Sequence, residues 1–185
     1  LTLLNMQAKK EGIKKNVFLP TWAADIVYFD SLNILRGQYA NFTSKQLKQH
    51  DLIATGEGNF TFIEFSTHRD SMYATLKILE MMISLDVTLS KVIASMPKFY
   101  YQSSEIKCPQ ALKGKMMRMF LEDAHGKESS TLDGVKIWLD TNDWILMIPD
   151  QYNDHLNIYI QAESTEKGEK ILADYSEKIS EWSKL

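Results

Sequence analysis

The sequence lacks most of the features that announce a function. It has one cysteine, Cys108, in 185 residues, so an internal disulfide is impossible and a reducing, cytoplasmic setting is expected. With no His or Asn partner to nominate, Cys108 reads as a small buried residue rather than a nucleophile. No apolar run reaches the roughly 18 residues of a membrane helix, so no membrane partner is expected. A formal charge of −3 removes the electrostatic case for nucleic acid. The opening LTLLNMQAKKEG has neither the basic leader nor the cleavage site of a signal peptide. Leu1 is not an initiator methionine either, and the chain reads as a piece of a longer polypeptide. His50, His68, His125 and His155 are not spaced as metal ligands, so no metal site is expected. No Ser/His/Asp order, nucleotide-binding glycine fingerprint or aspartate-rich metal loop is visible, and nothing repeats internally.

What is present is an ordinary apolar fraction, enough for a packed core, in a patterned order. Residues 1–10 read as a helix stopped by Gly12, and Asn16–Pro20 as a buried strand. Ala23, Ile26, Val27 and Asp30 have helical spacing. ILRGQ is a second strand, and TSKQLKQHD a short helix capped by Thr43 or Ser44. DLIATGEG and FTFIEF are β-rich runs parted by Gly56 and Gly58. Met72, Leu76, Leu79 and Ile83 then mark a helix capped by Asp70 or Ser71, and this stripe is expected to face the core. TLSKVIASMP is a further short helix. Strands alternating with helices predict an α/β domain with a mixed sheet over residues 1–96.

Residues 97–185 follow another order. KFYYQSSEIKC is a strand, and Pro109 suits the first position of a helix. Leu112, Met116, Met119 and Phe120 form that helix's buried stripe, and Gly126 stops it. VKIWL, WILMI and LNIYI are successive strands, with Thr141–Asp143 as a turn. A final amphipathic helix carries Ile171, Tyr175, Ile179 and Trp182. The order β-α-β-β-β-α predicts an α+β domain, an antiparallel sheet with two helices on one face.

Two loops merit a chemical reading. In TGEGNF, glycines on both sides of Glu57 permit a sharp turn and close approach of a ligand, and the carboxylate can accept from sugar hydroxyls. A hairpin turn with an exposed Glu fits the spacing at least as well. In STHRD, Ser66–Asp70, a helix start beside Arg69 could meet an anion, although a plain helix cap explains it first.

Taken together, ATGEGNFTFIEF, CPQALKGKMMRMF, LDGVKIWL and DWILMIPD…LNIYIQAES resemble the last two domains of the phosphohexomutases, the phosphomannomutase and phosphoglucomutase superfamily. Within it, the likeness is to the divergent mutase-like region fused to nucleotidyltransferases of the mannose-1-phosphate guanylyltransferase type. The resemblance implies a third-domain sugar loop at Gly56, Glu57, Gly58 and Asn59, with Glu57 on sugar hydroxyls. The Ser and His of the family's Gly-Glu-x-Ser-Gly-His are missing. It implies a fourth-domain phosphate loop at Ile148, Pro149, Asp150, Gln151 and Tyr152. There the family reads Arg-Pro-Ser-Gly-Thr-Glu-Pro, so Ile148 stands for the Arg and Asp150 for the Ser. A phosphate carries about −1.5 to −2 charges, so an aspartate repels it. The family's phosphoserine and Mg²⁺ ligands belong to domains with no counterpart in this sequence. The resemblance thus implies a hexose phosphate or nucleotide sugar as ligand, upstream domains as partners, and no catalytic residue or cofactor site in this chain. Activity moving a phosphoryl group between the 1 and 6 positions of a hexose is one expectation; a silent sugar-binding or assembly module is the other.

Overall fold

The structure is a computed structural model that describes residues 1–25, 27–38, 44–55 and 58–184. The chain divides into two compact units, Leu1–Pro97 and Lys98–Leu185.

In the first unit, α1 (Thr2–Glu11) ends on Gly12, whose φ of 69° is the left-handed geometry a glycine adopts freely. A four-stranded mixed sheet follows, in the order β2-β1-β3-β4. β1 (Lys15–Pro20) runs parallel to β2 (Leu32–Gly37) and to β3 (Leu52–Ala54). β3 pairs antiparallel with β4 (Phe60–Phe62). The chain leaves β4 early because the N–H groups of Phe65 and Ser66 both turn back onto the Phe62 carbonyl. α2 (Ser44–Leu47) is a single turn; Thr43, one of its two expected caps, lies outside the described residues, and Ser44 opens the helix. α3 (Ser71–Leu85) is capped by the Asp70 carboxylate, which accepts from the Tyr73 N–H at 2.8 Å. α4 (Leu89–Ala94) is capped by Thr88. The core of this unit joins Leu4, Ala8, Val17, Leu19, Leu52 and Met81.

Two expectations fail here. No helix forms over the described residues of 23–30, with Ile26 outside them. The Arg36 guanidinium donates to the carbonyls of Ala23 at 2.6 Å and Ala24 at 2.9 Å, which a helix would have used for its own ladder. The apolar stripe of α3 also faces the wrong way. Met72, Leu76, Leu79 and Ile83 are 77%, 65%, 48% and 81% exposed, while Ala74 and Met81 take the core side.

In the second unit a five-stranded antiparallel sheet has the order β5-β9-β8-β7-β6. Its strands are β5 (Tyr100–Lys107), β6 (Ser129–Ser130), β7 (Val135–Trp138), β8 (Trp144–Pro149) and β9 (His155–Ala162). The two-residue β6 is absent from the sequence reading because Ser-Ser carries no β signal. α5 (Gln110–Asp123) and α6 (Thr165–Lys184) bury Met116, Phe120, Tyr175 and Ile179 against Val135, Ile137, Ile145, Met147, Leu156, Ile158 and Ile160. Pro109 is the residue before α5 rather than its first turn, and Met117, not Met119, joins the core. Phe120 meets Tyr175 and Trp182 edge-on, with centroids at 5.4 Å and 6.4 Å. At Gly134, φ is 72° and an added Cβ would lie 2.1 Å from the Met147 carbonyl oxygen, so only glycine fits. A mixed sheet with helices followed by an antiparallel sheet covered by two helices is the architecture the sequence predicts.

Candidate functional site

The loop from Asp150 to Asp154 joins β8 to β9 and is held from several directions. The Asp150 N–H donates to the His155 carbonyl at 3.2 Å, closing the loop on itself. The Asp154 carbonyl accepts from the Cys108 N–H at 2.9 Å, and its carboxylate accepts from the Gln110 N–H at 3.1 Å. The loop is thereby fastened to the β5–α5 junction.

Beneath it lies Lys113, only 6% exposed. Its ammonium donates to the Asp150 carbonyl at 2.6 Å, the Asn153 carbonyl at 2.5 Å and Gln110 Oε1 at 2.6 Å. All three donors of the lysine are satisfied by neutral oxygens, so its charge serves the loop backbone and is turned away from any ligand outside. Sequence reasoning missed this residue. Its signal was available: Lys113, Met116 and Phe120 fall at i, i+3 and i+7 on one helix face, so a cation sits on the buried stripe.

The Asp150 carboxylate occupies the outer side of the loop. Its Oδ1 accepts from the Asn153 N–H at 2.7 Å, the Tyr152 N–H at 2.8 Å and Asn153 Nδ2 at 3.2 Å. Its Oδ2 lies 3.3 Å from His155 Nε2. The backbone N–H groups of Asn153 and Tyr152 hold the Asp150 carboxyl below the usual carboxylate range. These two N–H groups are therefore already bonded to an anion that belongs to the chain. Ile148 and Pro149 are half-buried at the end of β8, with Ile148 beside Gly134, and Gln151 and Tyr152 are exposed, Tyr152 at 91%.

The other candidate loop lies in the first unit. Gly56 and Glu57 lie outside the described residues. Gly58 has φ 77° and is exposed; Asn59 is half-buried and its carbonyl accepts from the Thr55 N–H at 2.9 Å. The loop is thus the connection of the β3–β4 hairpin. The Thr55 hydroxyl is buried and has no hydrogen-bond partner among the described residues, an arrangement that leaves a donor and an acceptor for a water or a ligand hydroxyl.

The remaining candidates are structural. Ser66–Asp70 is a helix lead-in, with Asp70 as the cap and Arg69 exposed. Cys108 is buried, and burial raises its thiol pKa, which disfavours the nucleophilic thiolate. His50 packs edge-on against Phe18 at 5.8 Å. Among the described residues no group of three or more His, Cys, Asp or Glu could hold a metal ion, and no helix is long and apolar enough to cross a membrane.

Known proteins share both sequence and fold with this chain. The phosphoglucosamine mutase of Methanococcus maripaludis strain C5 is 28% identical over 134 residues, covering 70% of this chain and 30% of that protein. The phosphoglucomutase/phosphomannomutase family protein of Burkholderia thailandensis superposes with a TM-score of 0.76, over 99% of this chain and 41% of that one, at 14% identity. The chain is phosphohexomutase-like. Its fold recurs in the N-acetylphosphoglucosamine mutase of Aspergillus fumigatus, solved with GlcNAc-6P and magnesium, with a TM-score of 0.61, 10% identity, and coverage of 98% of this chain and 41% of that one. No family model matches. The mutase-like chain spans about 30% of the length of the curated relatives it matches.

Proposed function

We propose that the chain is the C-terminal part of a phosphomannomutase- or phosphoglucomutase-like protein of cytoplasmic sugar-phosphate metabolism. Residues 1–96 correspond to the third mutase domain and 97–185 to the fourth. The loop Gly56, Glu57, Gly58 and Asn59 orients a hexose through the Glu57 carboxylate, and the buried Thr55 hydroxyl, without a partner among the described residues, supports a polar ligand there. The loop Ile148–Tyr152 is the family's turn without its phosphate grip. The phosphoserine and the Mg²⁺ loop of the family belong to domains outside these residues, so this chain alone carries out no phosphoryl transfer.

The observation that carries the loss of phosphate grip is the Asp150 carboxylate on the N–H groups of Tyr152 and Asn153. A phosphate seated there would displace those bonds and face a fixed negative charge, with Ile148 offering no donor. Each charge-assisted hydrogen bond withheld is worth about 1.5–3 kcal/mol, or roughly 10- to 100-fold in affinity. The same loop supports a second reading: a catalytically silent sugar-binding or assembly module of a mannose-1-phosphate guanylyltransferase-type nucleotidyltransferase, with a nucleotide sugar as ligand.

Calorimetry with glucosamine, glucosamine 6-phosphate and GDP-mannose tests both readings. The first expects the sugar and its phosphate to bind within about tenfold of each other, and Glu57→Gln to weaken both. GDP-mannose binding far tighter than either favours the second. A gain of about 100-fold or more from the phosphate, or Mg²⁺-dependent turnover of glucose 1-phosphate by this chain, would overturn the loss of phosphate grip.

A further inference from the structure

We draw no further inference here: the strongest candidate, the apolar groove of the first unit that Phe60, Ile78, Leu89, Ile93 and Met96 line between β4, α3 and α4, carries nothing because nothing in the structure shows what covers it.

Discussion

The two units treat apolar residues differently. In the second, β9 buries Leu156, Ile158 and Ile160 on one face, and β8 sets Ile145 and Met147 opposite them. Two amphipathic helices close that face. In the first, β3 and β4 are three residues long, and Met72, Leu76, Leu79 and Ile83 of α3 point outward. The second unit resembles a completed layer structure. The first carries a core and, in addition, an apolar surface that the described residues leave uncovered. Burial is therefore not a property of apolar residues as such but of which face finds a neighbour.

The contrast can be broken most forcefully by deleting matched side chains. Phe120→Ala removes a ring that is 0% exposed and touches two other aromatics. A loss of about 3–5 kcal/mol is expected in urea unfolding, whereas Leu76→Ala in dilute solution should stay within about 0.5 kcal/mol. Within α3 itself, Met81→Ala should cost about 2–5 kcal/mol and Ile83→Ala should be nearly silent under the same dilution. Equal costs at the two positions would mean the outer face is covered in the single chain.

A smaller effect is expected at Lys113. Lys113→Met keeps the stem but leaves the carbonyls of Asp150 and Asn153 without their donor, at about 1–3 kcal/mol. Faster hydrogen exchange at residues 150–155 would check that the lysine fastens the loop; unchanged exchange would deny it that role.

The smallest effect concerns pH. Burial opposes ionisation of Asp123, but hydrogen bonds from Lys178, Lys127 and Tyr175 outweigh it and hold the carboxyl at about 2. The folded value lies below the unfolded one. Its contribution is therefore present above about pH 4 and lost as pH falls toward 2, worth about 1 kcal/mol after solvent screening. Asp123→Asn should lower stability at pH 7 and leave it unchanged near pH 2. A uniform loss at both would assign the effect to packing.

The second unit was legible in the sequence because strict alternation along VKIWL and LNIYI leaves one assignment of faces. The helix α3 was legible, but not its orientation: two apolar faces of similar residues overlap in one segment, and the spacing marked the wrong one. The absence of a helix at Ala23 and Ala24 was not legible, because the arginine that takes their carbonyls comes from β2, more than ten residues on. At the candidate site, the turn and its acidic residue could be read, since Pro149 and Asp150 are local signals. The Lys113 clamp depends on a helix some 40 residues earlier in the chain and shows only as a charged residue on an apolar stripe.

The central claim is that Asp150 holds the N–H groups a phosphate would need. Amide NMR of the labelled chain, titrated with glucosamine 6-phosphate, observes those groups directly. The Tyr152 and Asn153 amide resonances are expected to stay in place through millimolar ligand while the signals of Gly58 and Asn59 move. Saturating shifts at Tyr152 and Asn153, absent when glucosamine replaces the phosphate ester, would contradict it.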